Sequence, residues 1–356
     1  MPRPILATIH TGAMSHNLAV ARQHAGAAKL WAVIKANAYG HGLVRAAQAL
    51  SKADGFALLD FEEAIRLRQA GITKPILLLE GFFKPQDVPL LVQYKLTPVF
   101  HNLEQVEILE KSVLDAGIDA YLKVNSGMNR LGFTVDNVRI AWNALTNHPR
   151  MGEVTLMTHF ADADGAGGVQ AQLEWFNSIT QPFEAPRCLA NSAALIRFPE
   201  TRADAVRPGI ILYGCSPFPD RSAESLGLKP AMTLTTEIIA VQNLQQGERV
   251  GYGFGYEAAE ELTIGIVACG YADGYPRQAP TGTPVLVAGQ RARTIGRVSM
   301  DMIAVDISEV PEAYIGTPVT MWGDGLSADE VAASAGTLGY ELLCGLAARV
   351  PVVEVA

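Results

Sequence analysis

The chain has 356 residues, 49% hydrophobic and 18% charged, a balance that supports a full core and excludes wholesale disorder. Its 28 Lys and Arg against 36 Asp and Glu leave a formal net charge of −8, which argues against a phosphate-backbone binder, because nucleic-acid affinity rests on clustered cations. No run of about 18 apolar residues forms a helical membrane span.

The start, Met-Pro-Arg-Pro-Ile, lacks the basic and apolar regions of an export signal. Four dispersed cysteines (Cys188, Cys215, Cys269 and Cys344) show no CxxC pairing. Both features lead us to expect a reducing, cytoplasmic setting rather than a disulfide framework or a zinc site.

In chain order, the first apolar run is ILATIH, which has no obvious place in the scheme that follows; pairing with the C-terminal part is the alternative for it. Strand-like runs come next at 30–34, 56–59, 76–79, 97–100, 119–124, 153–159, 187–190 and 205–213. Helix-like stretches lie between them. Asp60 precedes FEEAIRLRQAG with Glu63 three residues on, the pattern of a capping box, and Gly71 closes that stretch. NLEQVEILEKSV and VQAQLEWFNSI carry helical spacing of apolar residues. Eight strands alternating with helices over about 230 residues point to a (β/α)8 barrel more than to an open doubly wound sheet. Periodicity alone does not settle that choice. A barrel would carry its active site at the C-terminal ends of its strands.

The texture changes near Lys229-Pro230. From 231 to about 322 the runs MTLTTEIIAV, LTIGIVACGYA, TPVLVAG, RTIGRVSM, MIAVDI and TPVTMW are split by turn residues, which reads as mostly β. ADEVAASAG is helix-like, and PVVEV closes the chain as a strand. The expected domains are therefore 1–230, an α/β barrel, and 231–356, a β-rich domain.

Five segments carry candidate chemistry. In AVIKANAYGHG, Lys35 directly follows an apolar strand. At a barrel rim, burial would lower its pKa and free the amine for Schiff-base chemistry; from position alone, a surface lysine at a strand end is the favoured reading. In VRPGIILYG, Arg207 precedes Pro208-Gly209 at a strand-to-loop transition, where backbone N–H groups can cradle a phosphate. Ser192 of NSAA, at a helix start, could serve the same anion, although ordinary capping explains either motif taken singly. VGYGFGY resembles GxGxxG only loosely and does not lead from a strand into a helix, so a dinucleotide site is rejected and Tyr252 is left as an exposed phenol between glycines. In KVNSGMNRLGF, Arg130 lies where a guanidinium can clamp a carboxylate, although taken singly a surface arginine is the favoured reading. In THFADAD, the residues His159, Asp162 and Asp164 mimic metal ligands, but no second cluster supports a metal.

Taken in order with GERVGYG, CGYADGYPR, GRVSMDM and TLGYELLC, these motifs resemble the bacterial alanine racemases over nearly the whole chain. The length and motif context are similar to the catabolic type. The resemblance implies an N-terminal (β/α)8 barrel, a C-terminal β-domain, pyridoxal 5′-phosphate (PLP) at the barrel mouth, and L- and D-alanine as substrates. It also implies a homodimer whose sites each borrow residues from the other subunit. It assigns Lys35 as the lysine bound to PLP and one catalytic base, and Tyr252 of the partner subunit as the opposing base. Arg207 is implied to face the pyridine nitrogen, with His159 between Arg207 and that tyrosine. Tyr39, Ser192, Gly209, Ile210 and Tyr340 are implied around the phosphate. Arg130 and the Met300 backbone are implied to hold the substrate carboxylate, with Tyr271 and Asp301 at the entrance. Lys123 matches a lysine that is carbamylated in many relatives, where it positions the matching arginine. Some relatives have Cys at the position of Ser299, a minor departure.

The chemistry asks for such a set. Racemisation removes a proton from one face of the α-carbon and returns one to the other, so two bases on opposite sides are the simple solution. By the usual assignment, the lysine serves the D-enantiomer and the tyrosine the L-enantiomer. A cationic Arg207–His159 network would favour the phenolate. An arginine at the ring nitrogen cannot accept a proton, so the nitrogen should stay unprotonated, which should suppress transamination. Among alternatives, a non-catalytic PLP-binding barrel would lack the β-domain and the opposing tyrosine. A related decarboxylase is disfavoured by Arg207, and an exported broad-specificity racemase by the absence of a visible signal.

Overall fold

A computed structural model describes residues 3–356. The chain opens with β1 (Ile5–His10) and α1 (Thr11–Ala25). The strands β2 (Lys29–Val33), β3 (Gly55–Leu58), β4 (Ile76–Leu78), β5 (Leu96–Phe100), β6 (Ile118–Lys123), β7 (Met151–Met157), β8 (Arg187–Cys188) and β9 (Ala205–Val206) follow. Among them lie α2 (Lys35–Tyr39), α3 (Leu43–Ala49), α4 (Phe61–Gln69), α5 (Val88–Gln93), α6 (Leu103–Lys111), α7 (Val138–Asn147), α8 (Gln170–Thr180) and α9 (Ser192–Arg197). All eight strands are parallel to their neighbours, and β9 returns to β2 through Lys29↔Ala205 and Leu30↔Val206, closing a barrel. The barrel, rather than the open sheet, is the outcome.

The helices start and stop where local chemistry dictates. Asp60 caps α4 by accepting from Glu63 N–H at 2.8 Å, and Asn102 caps α6 by accepting from Gln105 N–H at 2.9 Å. The capping box expected at Asp60 is only half made. The Glu63 carboxylate does not turn back to the cap; its Oε1 accepts from Asn37 N–H at 2.8 Å instead, on the segment that follows Lys35. Gly71 ends α4 in the left-handed region, φ +82°. Inside the barrel, Trp31 Nε1–H donates to Tyr121 Oη at 2.8 Å, and Gly55 faces the same indole so closely that a Cβ would collide with it.

Two expected strands are shorter. The run 187–190 keeps ladder bonds only over Arg187–Cys188, and 205–213 only over Ala205–Val206. Pro208 has no N–H to give a ladder, Gly209 turns the chain with φ −125° and ψ −88°, and Ile210–Tyr213 winds into a 3-10 turn. The apolar residues after Gly209 are buried by packing rather than by strand pairing.

The remaining elements are β10 (Met232–Leu244), β11 (Arg249–Val250), β12 (Tyr256–Glu257), β13 (Leu262–Val267), β14 (Pro284–Val287), β15 (Gln290–Ile295), β16 (Ile303–Asp306), β17 (Pro318–Trp322), α10 (Ala328–Ser334), α11 (Gly339–Cys344) and β18 (Val352–Val355). The long β10 pairs with β17 and again with β13, the two ends of the run β13-β16-β15-β14-β17. The first strand β1 lies beside β10, antiparallel, with β18 parallel on its outer edge. ILATIH is thus a strand of the second sheet. No helix is long and apolar enough to cross a membrane among the described residues.

Candidate active site

The C-terminal ends of the barrel strands gather the residues that the motifs singled out. Lys35 comes two residues after β2, Lys123 ends β6, and Thr158-His159 follow β7. Asn191-Ser192 follow β8, and Arg207-Pro208-Gly209 follow β9. Closure of the sheet brings them to one mouth.

Lys35 opens an unusual segment. Ala36, Asn37, Ala38 and Tyr39 all have φ between +52° and +55°, a left-handed turn that costs about 1–2 kcal/mol per non-glycine residue. It is held at several points. Ala38 N–H donates to Ile34 O at 2.9 Å, Gly42 N–H to Asn37 O at 2.9 Å, and Leu43 N–H to Asn37 Oδ1 at 2.9 Å. Asn37 N–H is taken by Glu63, whose second oxygen is buried without a partner. Gly40, at φ +81°, ends the turn against the Leu343 carbonyl of α11, so the second domain abuts the lysine segment.

The turn aims Tyr39 inward. Its ring stacks on Tyr213 (centroids 4.6 Å apart) and meets Tyr340 of α11 at 6.0 Å, while His41 lies behind Tyr213 at 4.7 Å. Tyr213 Oη–H donates to Val33 O at 2.9 Å, tying the stack to β2. Gly209 lies under the Tyr39 hydroxyl: a Cβ there would be 2.6 Å from Oη. Gly209 N–H donates to Ser192 Oγ at 2.8 Å, which leaves the Ser192 hydroxyl hydrogen free for another acceptor. Ile210 follows at the start of the 3-10 turn.

Arg207 is buried and spans two strand ends. Its Nη1 donates to Cys188 O at 2.7 Å and lies 3.0 Å from Cys188 Sγ; its Nη2 donates to Thr158 O at 2.7 Å and Leu189 O at 3.2 Å. Among the described residues, only Nε–H lacks an acceptor. Arg130 is carried on the loop after β6, whose base is closed by Asn125 N–H to Phe133 O at 2.9 Å and Phe133 N–H to Lys123 O at 2.8 Å. Asn125 Oδ1 accepts from Gly127 N–H and Asn129 N–H, both at 3.1 Å. The guanidinium of Arg130 is exposed and makes no hydrogen bond among the described residues.

The charges at the mouth act on one another. Burial, and then Arg130, lower the Lys35 pKa below that of an ordinary lysine, opposed by Glu80 and Cys344. Burial, followed by Arg207 and Arg130, pushes Lys123 down to about 8. Burial and then Arg207 hold His159 well below its usual value, so its imidazole is neutral at physiological pH. The cationic Arg207–His159 network anticipated from the motifs is therefore a single cation, Arg207, beside a neutral ring. Desolvation among four basic side chains is the reason. Asp162 and Asp164 do not join His159 as a ligand set, since Asp162 accepts from Gly167 N–H at 2.6 Å.

An anionic cofactor fits this mouth. Lys35, Lys123, Arg130 and Arg207 face it with Glu80 as their acidic neighbour. Gly209 spares, under Tyr39, the position that a side chain would take, and the Ser192 hydroxyl that accepts from its N–H keeps its own hydrogen free.

The other expected residues lie on the second domain. Tyr252 is 75% exposed, on a short turn between Gly251 and Gly253, both at positive φ. Met300 and Tyr271 are also exposed, and Asp301 is not free: its Oδ1 accepts from Arg349 Nη2 at 2.6 Å. Glu63, Glu80, His41, Tyr213 and Asn125 were missed by sequence reasoning. His41, Tyr213 and Asn125 sit inside the quoted motifs, where a polar or aromatic residue amid small ones was the available signal. For Glu63 the one local signal was the capping-box pattern, and for Glu80 there was none.

The model for the alanine racemase N-terminal domain matches residues 9–217, and that for the C-terminal domain matches 231–354. An alanine racemase of Paraburkholderia phytofirmans is 54% identical over 353 residues, 99% of each chain. A protein of Klebsiella aerogenes named as a catabolic alanine racemase is 53% identical over 354 residues, again 99% of each. Among solved structures, the biosynthetic alanine racemase of Pseudomonas aeruginosa matches with a TM-score of 0.96 at 48% identity, over 99% of this chain and 100% of that one. With both family models matched in order and relatives aligned end to end, the chain belongs to the alanine racemase family.

Proposed function

We propose that this protein interconverts L- and D-alanine with PLP, using Lys35 and the Tyr252 of a partner subunit as its two proton-transfer groups. The observation that carries the reading is the convergence, at one barrel mouth, of an amine depressed by burial (Lys35), a glycine against Tyr39 where no side chain fits (Gly209) with the Ser192 hydroxyl beside it, and the guanidinium groups of Arg130 and Arg207. PLP, when bound, would supply the electron sink that acidifies the α-hydrogen.

Lys35 would hold the cofactor, Tyr39, Ser192, Gly209, Ile210 and Tyr340 its phosphate, and Arg207 its ring nitrogen through Nε–H, the one N–H left without an acceptor. Because a guanidinium only donates, Arg207 would keep that nitrogen unprotonated. Lys35 would exchange a proton on one face. Burial, which lowers its pKa, eases release of the ammonium proton. His159, neutral and next to Arg207, would hydrogen-bond rather than carry charge. Arg130 and the Met300 N–H would hold the substrate carboxylate, and Tyr271 would narrow the entrance, favouring a methyl side chain; one methylene more is resisted by only about 1–3 kcal/mol. Lys123, a buried amine brought to about 8 between Arg207 and Arg130, would take up CO2 with loss of a proton, giving a carbamate that pairs with Arg130.

Tyr252 points to a homodimer. A phenol this exposed, beside exposed Phe254 and on the same domain as exposed Met300, is suited to complete a site on a second copy. The decisive experiment incubates the purified protein with PLP and L-alanine and follows optical rotation, with Lys35→Ala alongside. Loss of rotation with wild type only is expected; a rotation that stays constant, or one that Lys35→Ala also abolishes, would refute the reading. The shared site has its own test. Mixing Lys35→Ala and Tyr252→Phe subunits should restore about a quarter of wild-type activity, because half the sites in each statistical mixed dimer are intact; no recovery would place Tyr252 in its own subunit's site or in none.

A further inference from the structure

On the second domain, Asp273 is a fully buried carboxylate held by four donors. Oδ1 accepts from Arg3 Nη1 at 2.9 Å and Arg349 Nε at 2.8 Å; Oδ2 accepts from Gly270 N–H at 2.9 Å and Arg3 Nη2 at 3.3 Å. The same two arginines reach a second segment. Arg3 Nη2 donates to Asp301 O at 2.7 Å, and Arg349 Nη2 to Asp301 Oδ1 at 2.6 Å. Four stretches far apart in sequence are thereby tied together: Arg3 two residues before β1, the turn Tyr271–Asp273, the loop at Asp301, and the segment just before β18.

The backbone continues the bracing. Tyr271 N–H donates to Ser299 O and Ala272 N–H to Met300 O, both at 3.0 Å, and Ala347 N–H donates to Asp273 O at 3.1 Å. Gly270 lies so close to the Ser299 and Met300 carbonyls that no Cβ fits there. What this plate presents outward is unpaired: the Met300 N–H and the Tyr271 hydroxyl have no partner among the described residues, and both residues are exposed. Burial works to raise the Asp273 carboxyl, and Arg349, Arg3 and Gly270 N–H outweigh it, holding it below the usual carboxylate range.

We infer that Asp273 is a positioning residue for the substrate: with Arg3 and Arg349 it locks the Tyr271 turn and the Ser299–Asp301 loop into one plate, so that the Met300 N–H and the Tyr271 phenol meet the alanine carboxylate and entrance together. The inference rests on the racemase reading above. It assigns function to a network that touches neither cofactor nor substrate, and charge-assisted bonds with a shared carboxylate give it directional stiffness.

The test compares the PLP-loaded wild type with Asp273→Asn and Arg349→Met. For each, kcat and KM for alanine are measured in both directions, together with the dissociation constant of propionate, which keeps alanine's carboxylate and methyl but has no amine to exchange. Asp273→Asn is expected to raise KM and the propionate dissociation constant about tenfold, and to change kcat less than threefold. Its PLP absorbance spectrum should be unchanged, because no cofactor contact is touched. Arg349→Met should act in the same sense, with Arg349→Lys intermediate, so the proposal stays testable if Asp273→Asn does not fold. Unchanged KM and propionate binding with a lowered thermal midpoint would overturn it, leaving the network a purely structural staple. A wild type that neither racemises alanine nor binds propionate would instead overturn the racemase reading, and this inference with it.

Discussion

Replacing Gly209 by alanine tests the cofactor cradle at one atom. The new Cβ would sit 2.6 Å from Tyr39 Oη and 3.4 Å from Tyr39 Cζ. Only the first distance is a clash. Tyr39 cannot swing away cheaply, since its ring is stacked 4.6 Å from Tyr213, lies 6.0 Å from Tyr340, and belongs to a left-handed turn fixed on both sides. Overpacking of this kind costs about 1–3 kcal/mol. With the phosphate held against Gly209 as proposed, displacing Tyr39 would disturb the same contacts, so PLP affinity should fall by about 5- to 150-fold on the same scale. The assay is PLP titration of the cofactor-free protein by absorbance, with thermal unfolding of the unloaded form alongside. Adding Tyr39→Phe removes the clashing oxygen and should restore much of the lost thermal stability, though not the full affinity if the phenol also binds phosphate. Unaltered affinity and stability in Gly209→Ala, or no rescue by Tyr39→Phe, would refute the cradle.

Other outcomes follow from the same geometry. His41 is fully buried, with its Nε2 unpartnered, and burial lowers its pKa to about 4. Below pH 6.5 the unfolded chain binds a proton that the folded His41 refuses, so stability should fall by about 3 kcal/mol between pH 6.5 and 4 from this group; denaturant titrations of wild type and His41→Gln should differ in slope by about one proton over that window, and equal slopes would remove His41 as the cause. Tyr252→Phe should slow α-proton exchange from L-alanine by about 10²–10⁴ while D-alanine washout suffers less; deuterium uptake followed by NMR reads this, and small equal losses would take Tyr252 out of the base role. Arg207→Glu should gain transaminase side activity, seen as pyruvate formation, and should also unfold at lower temperature, because the Cys188, Thr158 and Leu189 carbonyls lose their donor; absence of pyruvate would count against the ring-nitrogen argument.

The site was legible as residue types more than as contacts. Lys35, Arg207 and Ser192 could be placed because each follows an apolar run at a turn, and the barrel rule puts such positions at one mouth. Glu63 looked like half of a capping box because the pattern is local, yet its carboxylate serves Asn37, a neighbour only after β2 and β3 lie side by side. His159 looked like part of a cationic pair because sequence does not reveal desolvation, and burial among Lys35, Lys123, Arg130 and Arg207 keeps it neutral.

The sequence by itself determined the alternation of strands and helices, the change of texture near Lys229-Pro230, and the turn at Gly71, all of which depend on periodicity and backbone freedom within short windows. Tertiary structure alone decided that β1 joins the second sheet, that Ile210–Tyr213 leaves the ladder, that α2 winds left-handed, and that Arg3, Asp273, Asp301 and Arg349 meet. The reason is separation. Residues 270 positions apart, such as Arg3 and Asp273, become neighbours only when the first strand crosses the whole barrel segment to join the second sheet, and no short window of sequence contains both members of such a pair.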